Sequence, residues 1–255
     1  MGTSASNSGS PSGSPLVPPW ADIDGQGPGE APEQQRFRGF RTTLGKFVSG
    51  GDPDVGRNAL GRFVVSGLGG ASTGTRRFDP AITAGGALAG LVANLAQGGT
   101  GEAIAGFNVA SLAGQPTDIV IDRIVNALCP PGTTDDEAIR AALDEALSAV
   151  LCDQPQFDPD NISLEMLDEL LVKYSEEEIY LKVIAESGDA FDKATDPAVL
   201  INRENELREL IRVVVDKEGR PELSASLKSL KEGTFQSIVR KLFSTVLRAF
   251  EDYVE

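Results

Sequence analysis

The chain has 255 residues, 40% of them hydrophobic, and 38 acidic against 23 basic side chains give it a net charge of −15. It contains no histidine, which removes Ser-His-Asp and Cys-His nucleophile activation, imidazole proton shuttles and every zinc or iron site that needs an imidazole. The acidic balance argues against general nucleic-acid binding. No charged stretch followed by an apolar one opens the sequence, so the expected compartment is the cytoplasm.

Residues 1–35 are expected to form a disordered tail. Eleven of the first fifteen are Gly, Ser or Pro, with too little apolar surface to offset the entropy of ordering them. Because Gly2 is small, Met1 is expected to be removed, leaving the Gly2 amine, followed by Thr3 and Ser4, at the tip of a solvated tether. Leu16-Val17-Pro18-Pro19-Trp20 follows and contains the sole tryptophan. It reads as a short partner-docking element in extended or polyproline conformation, or as one that folds back on its own domain. A second Pro/Gly/Glu-rich piece, residues 25–32, completes the linker.

Residues 36–114 form a basic, then Gly/Ala-rich, helical region. Between residues 36 and 77 there are eight basic side chains against two acidic ones. Phe37, Phe40, Leu44, Phe47 and Val48 fall on one helical face, with Arg36, Arg38, Arg41 and Lys46 towards its rim. Basic residues interleaved with aromatics can bind single strands, but the helical spacing favours core packing. Gly69 to Gly74 has the glycine spacing of a phosphate-binding loop, yet Thr75 and Arg76 stand where Lys and Ser/Thr belong. A flexible connector edged by Arg76 and Arg77 is the expectation. Residues 81–96 are uncharged, include the small-residue pair Gly86 and Gly90, and are short for a membrane span. They predict a buried central helix, with a membrane-inserting hairpin over residues 81–113 as the rival reading.

Residues 115–255 read as an acidic helical bundle. From residue 134 onward the chain carries 28 acidic and 14 basic side chains. Asp118 opens one apolar period and Pro130-Pro131-Gly132 closes it. Thr134-Asp135-Asp136-Glu137 reads as a capping box, and Ser175-Glu176-Glu177-Glu178 as a second helix start before Ile179. Asp158 with Asp160 also suits a helix start. Cys129 and Cys152 stand at predicted helix ends and are expected to be buried thiols. Phe235, Ile238, Val239, Leu242, Phe243, Val246, Leu247 and Phe250 form an unbroken stripe that either closes the bundle or docks into a partner. No pattern supplies a nucleophile with a base, a metal set or a cofactor motif, so the expectation is an all-α protein that is not an enzyme and holds no cofactor.

Three segments carry a resemblance to a known family. The opening Met1-Gly2-Thr3-Ser4 with its Gly/Ser/Pro tract and Pro15-Leu16-Val17-Pro18-Pro19-Trp20, then Arg36-Phe37-Arg38-Gly39-Phe40-Arg41, then Val64-Val65-Ser66-Gly67 leading to Thr73-Gly74-Thr75-Arg76-Arg77-Phe78, resemble the QatB family. These are non-enzymatic components of the bacterial Qat anti-phage defence system. The resemblance is best over the first hundred residues, and the acidic half matches in character only. It implies operation beside a QueC-like enzyme (QatC), an ATPase and a TatD-like nuclease. QueC-like enzymes use ATP to activate the carboxylate of a 7-deazaguanine for attack by an amine, and the resemblance implies that the amine is that of Gly2. The same opening, Met1-Gly2-Thr3-Ser4-Ala5-Ser6, also fits N-myristoylation, which would make the chain a membrane-anchored adaptor, although no polybasic cluster follows directly to supply a second anchor.

Overall fold

The computed structural model describes residues 35–130, 132, 134–194, 196–228 and 235–254. All regular structure among them is helical, apart from an isolated bridge between Pro116 and Gln156. The elements in chain order are α1 (Arg38–Val48), α2 (Pro53–Arg62), α3 (Ala71–Arg77), α4 (Asp79–Ala96), α5 (Glu102–Ala105), α6 (Thr117–Leu128), α7 (Thr134–Leu151), α8 (Met166–Glu186), α9 (Pro197–Val214), α10 (Arg220–Lys228) and α11 (Phe235–Glu251). Two π-helical segments extend α2 and α9, Phe63–Leu68 and Val215–Gly219.

Local chemistry sets several boundaries. Asp52 and Asp196 cap α2 and α9 by accepting from the backbone N–H groups two and three residues on, each with Pro at the first helical position. The expected break at Ser175 does not occur. Ser175 lies in the middle of α8, fully buried, and its hydroxyl donates to the carbonyls of Leu171 and Val172. A hydroxyl satisfied by the preceding turn has no need to cap a new one. The side chains of Thr134 and Asp135 lie outside the described residues.

The stripe on α11 closes the core. Ile238, Val239, Leu242, Phe243, Val246, Leu247 and Phe250 are all buried, and α11 contacts α2, α3, α4, α8, α9, α10 and both π segments. Phe243 stacks near Phe78 from the front of the chain and Tyr174 from the back, at 5.2 and 6.5 Å between ring centroids. α4 is the buried central helix that its composition predicts, contacting α3, α5, α6, α7, α8 and α11. Side chains at two of its glycines would collide with neighbours. A Cβ on Gly85 would stand 2.6 Å from the Tyr174 ring, and one on Gly86 2.7 Å from Gln236 Cα. The close approach thus uses adjacent glycines, while Gly90 makes only ordinary contacts. Tyr174 is fully buried, and its hydroxyl donates to the Ala81 carbonyl at 2.7 Å.

No second apolar helix follows α4. Residues 102–113 form the single turn α5 and a 3-10 turn, Ala110–Leu112, so the hairpin considered for residues 81–113 is absent. Positive φ at Gly101 and Gly106 flanks the short helix and ends it on both sides. Among the described residues no helix is long and apolar enough to cross a membrane. Cys129 is buried as expected, whereas Cys152 is exposed, because α7 ends at Leu151 and the chain turns outward there.

Candidate functional site

The residues singled out for modification and docking, Gly2, Thr3, Ser4, Leu16, Val17, Pro18, Pro19 and Trp20, lie outside the described residues. The structure describes instead the junction through which that segment enters the helical body. Gln35 has a φ of 71°, the one positive value at a non-glycine among the described residues, and its carbonyl accepts from Arg38 N–H at 2.8 Å. That tight turn drives Phe37 into the core, where it is 6% exposed. Its ring lies 6.3 Å from Phe40 and 5.8 Å from Phe63, and those two are 5.3 Å apart. Gly67 makes the space, since any side chain there would collide with the Phe37 ring.

The Gly67–Gly74 stretch is therefore not a flexible connector. It spans the end of a π turn and most of α3, and Gly74 packs against Leu68 and Leu247. Gly67 and Gly74 leave room for close contacts, while Gly69 and Gly70, with φ of 83° and 89°, turn the chain between the π segment and α3, which explains the phosphate-loop spacing without a phosphate.

Three arginines stand around this junction, and one of them, Arg41, pairs with a carboxylate, that of Glu186. The Arg36 guanidinium stacks on the Phe37 ring at 4.9 Å, and its Nη1 is buried without a hydrogen-bond partner. Arg41 Nε donates to the Glu186 carbonyl at 2.8 Å, and its guanidinium lies 3.7 Å from the Glu186 carboxylate. Arg77 Nε donates to the Leu68 carbonyl at 3.0 Å. Burial holds the Arg36 guanidinium below its ordinary pKa, opposed by Glu186. Burial also lowers Arg77, reinforced by the charge of Arg36 and opposed by Glu186. Both shifts describe cations that have lost water and gained too little anion in return. The sequence marks this region only as locally basic; the meeting with Glu186, at the far end of α8, depends on the tertiary fold.

Other features carry less chemistry. An apolar cavity of about 20 Å³ between α4, α6, α7 and α8, lined by residues such as Leu91, Leu147, Phe157 and Leu170, is about the size of one water and offers no polar group. Among the described residues no group of three or more His, Cys, Asp or Glu could hold a metal.

Fold and junction together define a protein whose described residues are all-helical in their regular structure, with its distinctive chemistry concentrated around Gln35–Phe37. The chain belongs to the QatB family: the family model for Qat anti-phage system associated protein QatB matches residues 69–250, which makes the protein a component of the Qat anti-phage defence system. The match lies mostly over the helical half, and of the three resembling segments it includes only Thr73-Gly74-Thr75-Arg76-Arg77-Phe78. Comparison with curated proteins and with solved structures returned no match.

Proposed function

We propose that this QatB-family protein serves the Qat system as a non-enzymatic protein substrate: a QueC-like enzyme joins a 7-deazaguanine to the amine of Gly2. In that step ATP activates the 7-deazaguanine carboxylate, the Gly2 nitrogen attacks it, an amide bond forms and the activated leaving group departs. The observation that carries the reading is the anchored junction at Gln35–Phe37, ahead of which stands a segment of Gly/Ser/Pro composition with Gly2 near its start. Such a segment can enter an enzyme pocket that a folded or bulky terminus could not. On this reading Thr3 and Ser4 enter the enzyme with Gly2, and Leu16, Val17, Pro18, Pro19 and Trp20 dock on its surface. The ATPase and the TatD-like nuclease are further partners, and the setting is the cytoplasm.

The test is the mass of the N-terminal peptide after expression with the other Qat components. An added mass on Gly2 matching a deazaguanine amide is the expected result. A myristoyl mass would make the chain a lipid-anchored adaptor, and a bare Gly2 would remove the modification from its role.

A further inference from the structure

The junction gathers three guanidinium groups and one ion pair: Arg36 stacks on Phe37, whose ring fills the space at Gly67, Arg77 Nε donates to the carbonyl of the adjoining Leu68, and Arg41 pairs with Glu186. Two cations are therefore unbalanced locally. Arg36 Nη1 has no hydrogen-bond partner, and its charge is dehydrated by Phe37 and its surroundings. On the face formed by α8, α9 and α10, by contrast, Arg208, Arg212 and Arg220 are paired with carboxylates, Arg220 with three of them. An oxyanion is the chemistry that would complete the cluster.

Residues 1–35 contain four acidic side chains, Asp22, Asp24, Glu30 and Glu33, and no Lys or Arg. All four fall in the stretch immediately before the cluster. Glu33 is three residues from Arg36 and Asp22 fourteen. Even the farthest is within reach, as a chain spans up to about 3.4 Å per residue, and the linkage keeps the local carboxylate concentration high. An external anion must instead approach a protein whose net charge is −15, which repels it at long range.

We propose that Arg36, Arg41 and Arg77 form a docking site for the acidic segment 22–33 of the same chain, fastening the proximal arm to the helical body and leaving residues 1–21 as the reaching part. The proposal is independent of the chemistry at Gly2. It shortens the working tether to roughly 70 Å at full extension and gives the arm a fixed point of departure.

Nuclear magnetic resonance on the full-length 15N-labelled chain tests it, with residues 3–14 as the internal reference for a free tether. At about 10 mM ionic strength, where the Debye length is about 30 Å, the heteronuclear NOEs of residues 22–33 should stand clearly above those of residues 3–14. At about 1 M, where that length is about 3 Å, the difference should disappear. It should also disappear at low salt in the Arg36→Gln/Arg77→Gln variant and in Asp22→Asn/Asp24→Asn/Glu30→Gln/Glu33→Gln, with α11 resonances unchanged to verify the fold. Equal NOEs in the two segments of the unaltered chain at low salt would overturn the proposal. So would a difference that persists in both variants, because the contact would then be non-electrostatic. If segment 22–33 stays free while inorganic phosphate or a short DNA single strand shifts the Arg36 and Arg77 side-chain resonances, the cluster serves an external anion and the proposal falls.

Discussion

The junction around Arg36 and the face formed by α8, α9 and α10 use the same residue type in opposite ways. On the helical face Arg220 bonds Asp168, Glu169 and Asp216 at 2.6, 2.9 and 2.9 Å, with Ser224 donating to Asp168 at 2.7 Å. Arg212 grips Glu209 with two nitrogens and reaches Asp216 at 3.2 Å. Arg208 pairs with Glu177 and stacks on Tyr180, 3.8 Å above the ring centroid. Burial acts to lower the pKa of Arg220, and the hydrogen bonds it donates to Glu169 and Asp216, with the charges of Glu169 and Asp168, overcome it and raise it. At the junction burial prevails and Arg36 and Arg77 are lowered. An acidic surface is thus no sign of an anionic binding face, since much of its charge is spent internally. The basic front keeps charge to spare.

Four measurements would break or sharpen this contrast. The largest effect is expected from Gly67→Ala, which forces a methyl against the Phe37 ring and should destabilise by about 1–3 kcal/mol in chemical denaturation. In a Phe37→Ala background the same change should be much milder, because the collision has been removed. An undiminished cost there would show that Phe37 is not what Gly67 accommodates.

Arg220→Met comes next. It leaves Asp168, Glu169 and Asp216 without their shared cation, and since these groups are 28–48% exposed the cost is discounted for solvent to about 1–2 kcal/mol. It should shrink at high salt.

Glu176→Gln probes the same face by pH. Burial raises the Glu176 carboxyl above its ordinary range despite the hydrogen bond from Lys173 at 3.1 Å, and its Oε1 is buried without a partner. A folded-state pKa above the unfolded one means that stability is present below the ordinary carboxylate value and is lost as pH rises through the raised value. The Gln variant lacks that loss. Its advantage over the unaltered chain should therefore open as pH climbs through this window and close in acid. A pH-independent difference would contradict the assignment.

The smallest effect belongs to Arg36→Met. It keeps apolar contact with Phe37, removes a dehydrated charge and gives up no hydrogen bond at Nη1, so stability should change by less than about 0.5 kcal/mol. A loss matching that of Arg220→Met would erase the distinction between the two regions.

Much of the architecture was legible along the chain because it depends on periodicity. The face carrying Phe37, Phe40, Leu44, Phe47 and Val48, the apolar run of α4 and the α11 stripe each specify a buried helix side regardless of what they pack against. Local signals failed where a tertiary contact reassigned them. Ser175 carries the composition of a helix start, but burial and two backbone carbonyls hold it inside α8. Gly69 to Gly74 carries the glycine spacing of a phosphate-binding loop, but Gly69 serves a left-handed turn and Gly74 leaves the room that Leu68 and Leu247 need.

The sequence by itself determined the helical class, the absence of imidazole chemistry, the basic front and acidic back, and the composition of the arm, because each follows from residue type and spacing within one segment. Only the tertiary structure decided that α11 joins the two halves, that a turn at Gln35 leads into a buried Phe37, and that Arg41 meets Glu186. They include meetings of residues 145 and 165 positions apart, Arg41 with Glu186 and Phe78 with Phe243. Their energies depend on distance and burial, neither of which a linear pattern encodes.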